Sequence, residues 1–384
     1  MNNFASLGLS EQTVASLAKL GFEQPTEVQA KTIGLLLDGV DVIASAQTGT
    51  GKTAAFALPI IEGLKQQGRA SQRPYIRALI LVPTRELAMQ VKTEFERLAK
   101  HNVRLKVAAF YGGTGYGAQL AAINSGIDVA VATPGRLNDL LQRNCIRLGG
   151  VETLVLDEAD RMLDMGFAPQ VKRIVACIPD DRQTMMFTAT LDQRMQKLAA
   201  DYMLDPVTVR CKQEQMEPST INQKAHRVLK AAKDELLLSV LSEDEEATVL
   251  IFTRTRRTAT KVTKRLRAAN VNAEEIHSDI SQNKREKTIA RYRSGSFNVL
   301  VATDIAARGL DVPAITTVVN YDLPDCAADY VHRIGRTGRA GREGVAHSFI
   351  SEDQQHLARE IERLMGRKFD LPRRNDQAKA RLRG

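Results

Sequence analysis

Short apolar, β-branched runs recur along the chain, and the segments between them carry their apolar residues at helical spacing. Five runs lie in the first half: Asp41-Val42-Ile43-Ala44, Ala78-Leu79-Ile80-Leu81-Val82, Asp128-Val129-Ala130-Val131-Ala132, Thr153-Leu154-Val155-Leu156 and Thr184-Met185-Met186-Phe187. Four lie in the second: 248–252, 298–302, 316–320 and 344–350. Short apolar strands alternating with helices imply parallel sheets covered on both faces. The halves also resemble each other. Val82-Pro83-Thr84-Arg85 is echoed by Ile251-Phe252-Thr253-Arg254, and Val129-Ala130-Val131-Ala132-Thr133 by Val299-Leu300-Val301-Ala302-Thr303, at shifts of 169 and 170 residues. Two landmarks at nearly one shift suggest two copies of one α/β fold. The expected division is a domain over 1–205, a linker over 206–224, where Pro206, Pro218, Ser219 and several Gln and Glu gather, a second domain over 225–369 and a basic tail over 370–384.

A length of 384 residues suits two domains of ordinary size. Aromatics make up 5% and Trp is absent, which argues against a surface that reads bases by many stacked rings. The four cysteines, Cys145, Cys177, Cys211 and Cys326, form no Cys-x-x-Cys pair, so a zinc site is not expected and a reducing, cytoplasmic setting is. The first residues lack a basic stretch followed by an apolar run, and no apolar run approaches the roughly 18 residues of a membrane span, so neither a secretory signal nor a membrane contact is expected. The net charge is +9, and residues 366–384 hold seven basic side chains against Asp370 and Asp376. A basic end of this kind suggests a polyanionic partner.

The most informative loop is Ala46-Gln47-Thr48-Gly49-Thr50-Gly51-Lys52-Thr53, set between an apolar strand and a helix. Its glycines let the backbone turn N–H groups toward phosphate, and the helix amino end adds positive potential. Lys52 can reach the outer phosphates and the Thr53 hydroxyl can bind Mg2+. The usual pattern begins with Gly, and Ala46 stands there instead. Leu154-Val155-Leu156-Asp157-Glu158-Ala159-Asp160 supplies the matching strand that ends in carboxylates. Asp157 would hold Mg2+, largely through water, and Glu158 would orient and deprotonate the attacking water.

Asp157-Glu158-Ala159-Asp160 spells D-E-A-D, and the chain resembles the DEAD-box ATP-dependent RNA helicases of superfamily 2, with the flavour of the bacterial RhlE-type branch. The likeness runs from about Phe4 to about Phe369 and rests on an ordered set of motifs. Phe4, Gly21-Phe22-Glu23-Gln24-Pro25-Thr26 and Gln29 match the Q motif. Pro83-Thr84-Arg85, Gly112-Gly113 and Thr133-Pro134-Gly135-Arg136 match RNA-contacting motifs of the first domain. Thr188-Ala189-Thr190 stands where Ser-Ala-Thr is usual. Thr303-Asp304 through Arg308-Gly309-Leu310-Asp311 and His332 through Arg336 to Arg339 match motifs V and VI.

The resemblance implies two tandem RecA-like, P-loop-type domains, with ATP and Mg2+ as cofactors and RNA as partner. It assigns Gln29 to the adenine edge, with Phe4, Phe22 and Gln24 nearby, and Gly309 and Asp311 to the ribose side. Arg336 and Arg339 would reach the outermost phosphate from the second domain. Thr188, Thr190 and His332 would couple the sites. Besides the first-domain motifs, Arg254, Gln282, Arg285, Thr303, Asp304 and Arg308 would face RNA. Hydroxyls, bare backbone N–H groups and guanidinium groups suit phosphate and ribose oxygens, so binding should be largely independent of sequence and should distinguish RNA through its 2′-OH. The same motifs fit a long-lived RNA clamp or, less well, a DNA translocase. Ribosome assembly and RNA decay are the settings such a bacterial enzyme suggests.

Overall fold

Every one of these apolar runs forms a strand in the computed structural model, which describes residues 3–46, 50–66, 76–100, 105–211, 221–244, 246–307, 315–338 and 343–370; the side chains of Gln282, Ile305 and Ala328 lie outside the described set. The chain divides into two compact units, Met1–Gln213 and Glu214–Gly384.

The first unit is built on β1 (Val42–Ser45), β2 (Ala78–Leu81), β3 (Val107–Phe110), β4 (Val129–Ala132), β5 (Thr153–Leu156), β6 (Gln183–Thr188) and β7 (Val207–Arg210). They lie parallel in the order β3-β4-β2-β5-β6-β1-β7. Successive side chains of a strand point to opposite faces. Ile80 of β2 therefore packs with Phe56 and Phe95 on one side, while Leu79 and Leu81 pack with Leu137 and Ile174 on the other. Both faces are covered by helices, which is why the central strands are continuously apolar.

The second unit holds β8 (Ile221–Arg227), β9 (Val249–Thr253), β10 (Ala273–Ile276), β11 (Val299–Thr303), β12 (Thr317–Asn320) and β13 (Gly344–Ile350), parallel in the order β10-β11-β9-β12-β13-β8. The repeat seen in sequence has a structural counterpart. β2 pairs with β4 as β9 pairs with β11, with Leu81 opposite Ala132 and Thr253 opposite Thr303.

The stretch 206–224 is not all linker. β7 pairs with β1 inside it and β8 begins at Ile221. Three of the four β7 side chains are exposed, so the strand lacks the apolar run that marks its neighbours. Residues 212–220 and the tail beyond Asp370 lie outside the described residues.

A histidine pair sits in the second sheet. His226 Nε2 lies 3.1 Å from His347 Nδ1, with the rings stacked and Phe349 edge-on to His226. Burial, and then the neighbouring His226 and Lys224, push His347 down to about 4. The folded value is below the unfolded one of about 6.5, so the stabilisation from keeping this ring neutral is present above pH 6.5 and lost as pH falls toward 4. It is on the order of 3 kcal/mol for this burial. The melting temperature is expected to fall more steeply between pH 7 and 4 in the wild type than in His347→Leu; parallel pH profiles would contradict this.

Candidate active site

Many of the sequence-predicted residues directly follow the carboxyl ends of the strands, where parallel α/β sheets place their ligands, whereas the Q-motif residues, Gln282, Arg285 and His332 lie on helices or the loops before them. The first sheet sorts them into two groups. β5, β6 and β1 carry the Gly-rich loop, the two acids and Thr188, whereas β3, β4 and β2 carry the hydroxyl, glycine and arginine motifs.

On the first side, β1 leads to Ala46, whose N–H donates to the Thr188 carbonyl at 3.0 Å. Gln47, Thr48 and Gly49 lie outside the described residues. The chain continues through Thr50 and Gly51 into the helix Lys52–Gln66. Gly51 has φ +87°, a left-handed conformation that suits glycine. Lys52 is 6% exposed, and its ammonium has no hydrogen-bond partner among the described residues. A buried cation without a partner is costly, so this one marks a place that an anion fills.

Across from it, Asp157 is 2% exposed. Burial pushes its carboxyl up to about 6, opposed by the nearby Lys52 charge and reinforced by Glu158. Glu158 itself sits in the left-handed region, φ 51° and ψ 48°, at the turn from β5 into the helix Ala159–Asp164. Its N–H donates to Asp157 Oδ1 at 2.9 Å. A hydroxyl, a carboxylate and an unpaired ammonium at one sheet edge fit a Mg2+-bound polyphosphate, because Mg2+ takes one or two carboxylates and completes its shell with phosphate and water. Thr53 and Asp157 are the residues that would hold it.

Asp160 joins this site to β6. Its Oδ2 accepts from Ala189 N at 3.0 Å, Thr190 N at 3.1 Å and Thr190 Oγ1 at 3.2 Å. Thr188 Oγ1 donates to the Thr190 carbonyl at 2.7 Å. Both hydroxyls of the substituted Thr-Ala-Thr motif are therefore engaged, and the extra methyl of the fully buried Thr188 is accommodated in the core.

The Q-motif residues are placed differently from one another. Gln29 is 2% exposed. Its Oε1 accepts from Thr26 N at 2.9 Å, closing a capping box at the start of the helix Glu27–Leu37, and its Nε2 donates to the Gly51 carbonyl at 3.1 Å. Both amide functions thus meet the protein, one of them the phosphate loop itself. A Cβ on Gly51 would come within 2.4 Å of Gln29 Nε2. Phe4, expected beside the base, lies in the core at 3% exposure, edge-on to Phe22. Phe22 is half-buried under the Arg97 guanidinium, and Gln24 is exposed.

On the second side, Thr84 caps the helix Arg85–Ala99, accepting from Leu87 N at 3.3 Å, and Pro83 precedes it. Arg85 lies against the glycine pair. A Cβ on Gly113, φ +84°, would overlap the Arg85 guanidinium, and one on Gly112 would lie 4.0 Å from Nη2. Thr133 and Pro134 open the helix Pro134–Gln142, and a Cβ on Gly135 would meet open space. Arg136 was expected to face a polyanion. It is 8% exposed, donates to the Thr114 carbonyl at 2.9 Å and lies 4.4 Å over the Tyr116 ring, while its Nη1 is buried without a hydrogen-bond partner among the described residues. It therefore ties the glycine loop to this helix.

In the second unit, Arg254 follows β9 and pairs with Asp325 at 3.4 Å. Thr303 ends β11 opposite Thr253. Asp304, expected to face RNA, instead takes Arg333 in a two-pronged pair at 2.6 Å. Arg333, 2% exposed, also donates to Asn320 Oδ1 at 3.1 Å and the Asp322 carbonyl at 2.6 Å. A carboxylate is repelled by phosphate, so its partnership with a buried guanidinium is the better physical outcome. Arg285 is 8% exposed and donates to the Ala306 carbonyl at 2.5 Å, so it braces the segment after β11. Gln282 begins the helix Gln282–Arg293, and its side chain is outside the described set. His332 lies on the helix Ala327–Ile334, and Arg336 in the turn after it. Arg308, Gly309, Asp311 and Arg339 lie outside the described residues.

The residues that the sequence does not single out are Tyr116, Arg161 and Asn320. Only Arg161 had a legible signal, standing three residues after Glu158 on one helical face.

Known proteins carry the same constellation. Residues 26–198 match the DEAD/DEAH box helicase family model and residues 232–341 the helicase conserved C-terminal domain model. The chain is 40% identical over 361 residues to the ATP-dependent RNA helicase CshA of Limosilactobacillus reuteri, covering 94% of this chain and 71% of that one. It is 44% identical over 360 residues to the ATP-dependent RNA helicase DeaD of Mycobacterium tuberculosis, covering 94% and 63%. Among solved structures it is similar to S. cerevisiae Dbp5 bound to RNA and ADP BeF3, with a TM-score of 0.84 at 28% identity over 100% of this chain and 99% of that one. A DEAD box protein from Methanococcus jannaschii matches with a TM-score of 0.54 at 38% identity, covering 97% and 99%. With the Gly-rich loop, the D-E-A-D turn and its link to Thr190 assembled on one RecA-like sheet, and a second such sheet following it, the chain belongs to the DEAD-box helicases.

Proposed function

We propose that this chain is an ATP-dependent RNA helicase, which hydrolyses ATP under stimulation by RNA and separates short RNA duplexes locally as its two units close. The observation that carries the reading is the unpaired, buried Lys52 ammonium at the same sheet edge as Asp157 and Glu158. Lys52 and the N–H groups at the start of its helix bind the outer phosphates. Mg2+, held by Thr53 and Asp157, supplies charge neutralisation for the phosphates when bound. Glu158 orients the attacking water and takes its proton. Asp160 carries any shift of the D-E-A-D turn to Thr190 and so to β6. Arg336 and Arg339 complete the charge around the transferred phosphoryl group from the second unit.

ATP and RNA favour the same state if each contacts both units, so each raises the affinity for the other. Arg85 and the glycine pair fit phosphate and ribose oxygens, which supports a sequence-tolerant RNA site. The four free cysteines suit a reducing cytoplasm, and among the described residues no helix is long and apolar enough to cross a membrane. Ribosome assembly and RNA decay are the processes this reading favours.

The test is strand separation. A short RNA duplex should be unwound with ATP, and to a lesser extent with a non-hydrolysable analogue; no release under either condition would sink the helicase reading. Gly113→Ala tests the RNA surface. Its Cβ displaces Arg85, and a left-handed alanine costs about 1–2 kcal/mol. RNA affinity should fall roughly fivefold, the worth of one hydrogen bond. ATP affinity measured without RNA should stay the same. Unchanged RNA binding would remove Arg85 from the interface.

A further inference from the structure

The buried polar groups near the D-E-A-D turn include one that the reaction as described does not use. Arg161 is 5% exposed on the short helix Ala159–Asp164, and its Nη1 donates to Glu158 Oε2 at 3.0 Å. Glu158 is itself 5% exposed. A buried ion pair of this kind is a poor source of stability, because removing two charges from water offsets most of their attraction. An arginine kept in such a place needs another reason.

The geometry supplies one. The guanidinium engages one carboxylate oxygen, Oε2, and Oε1 accepts no hydrogen bond from any described residue. Glu158 is already constrained from the backbone side, since its left-handed turn is fixed by the N–H bond to Asp157 Oδ1. Arg161 fixes the other end. Together they leave the carboxylate one orientation, with one oxygen held and the other offered.

We infer that Arg161 is a positioning residue for hydrolysis: it holds Glu158 through Oε2 so that Oε1 alone faces the attacking water. The inference rests on the reading of Glu158 as the residue that orients that water. In the step it serves, the water oxygen forms a bond to the terminal phosphorus, the bond from that phosphorus to the bridging oxygen breaks, ADP leaves with the electron pair, and the proton of the water passes to Oε1. In this role Arg161 acts through Glu158 and not on the nucleotide or the water. It acts by denying the carboxylate its other rotamers and by keeping a compensating charge beside it.

The test is a double-mutant cycle in steady-state ATP hydrolysis at saturating RNA, using the full chain, with Arg161→Met, Arg161→Lys, Glu158→Gln and Glu158→Gln combined with Arg161→Met. Binding of a fluorescent ADP analogue and thermal melting are read on every variant. Arg161→Met should lower kcat roughly 10- to 100-fold, the scale of a misplaced catalytic group. KM for ATP and affinity for the ADP analogue should stay within about threefold, a split that shows chemistry and not nucleotide binding to be affected. Arg161→Lys, which keeps the charge, should recover part of the loss. In the Glu158→Gln background the arginine change should cost no more than about twofold, because residues acting as a unit are not additive. Where Arg161→Met melts too low to assay, Arg161→Gln keeps a donor at the position and serves in the same cycle. The proposal is overturned if Arg161→Met turns over like the wild type, or if its loss is as large in the Glu158→Gln background as in the wild type. Normal turnover in Glu158→Gln alone removes the reading of Glu158 and the proposal with it; collapse in Glu158→Gln with normal turnover in Arg161→Met removes the proposal alone.

Discussion

Lys52→Ala is expected to abolish ATP turnover while leaving the first unit folded. Most substitutions at a site 6% exposed damage the core, and this one should not. The ammonium has no hydrogen-bond partner among the described residues, so its removal deletes a desolvation cost and, beyond its attraction to Asp157, no bond. The melting temperature of the nucleotide-free protein should stay level or rise. The affinity for Mg2+-ATP should fall roughly 10- to 100-fold, since a hydrogen bond to a charged group contributes about 1.5–3 kcal/mol. Turnover should fall further, because charge on the outer phosphates develops as the bond breaks. Calorimetric titration with ATP and a melting curve of the same preparation check both halves. Normal turnover would mean that the loop at 46–53 is a turn and not a phosphate site.

Glu158→Gln separates binding from chemistry. The side chains are nearly equal in shape, and glutamine adopts the same left-handed turn at the same cost. Its amide oxygen can still accept from Arg161, but it cannot take a proton. Turnover is expected to drop by roughly 10²- to 10⁴-fold, the usual contribution of a general base. Binding of ATP and of RNA should persist, and the variant should hold RNA longer in the presence of ATP because the hydrolysis that ends the bound state is blocked. Single-turnover hydrolysis with labelled ATP and competition against unlabelled RNA measure the two effects. Rapid hydrolysis in this variant would move the water-orienting role elsewhere.

What could be read from the sequence follows a physical rule. Each strand found in advance lies inside a sheet or has both faces covered, so it is written as a continuous apolar run. The four strands that went unread, β3, β7, β8 and β10, are the outermost strands of the two sheets. Where an edge strand is partly wet its letters are mixed, as in Val-Thr-Val-Arg of β7 and Ala-Glu-Glu-Ile of β10, whereas β3, Val-Ala-Ala-Phe, is largely buried and carries no such mixture. In β10 the charges have a structural use, because Glu274 pairs with Arg267 and Arg291 at 2.8 Å each, which discourages edge-to-edge association. For the same reason the stretch 206–224 reads as linker in sequence although β7 and the start of β8 occupy its two ends.

The site was legible to the extent that its chemistry is local. The loop at 46–53 and the acids at 157 and 158 are each contiguous in sequence, so spacing alone is enough to propose them. Partnerships between distant residues were not legible. Gln29 reaches Gly51 across 22 residues, and Arg333 reaches Asp304 across 29. Asp304 illustrates the difference: as a letter in a motif it could face a ligand or a cation, and only the fold brings Arg333 to it. Phe4 is similar, an aromatic near a binding motif that the core claims instead.

The central claim is that this is an RNA-stimulated ATPase, and steady-state ATP hydrolysis by the wild-type chain with RNA, with DNA of the same sequence and with neither tests it most directly. The account predicts slow hydrolysis alone, strong stimulation by RNA and little by DNA. Equal rates under all three conditions, or equal stimulation by DNA, would contradict it.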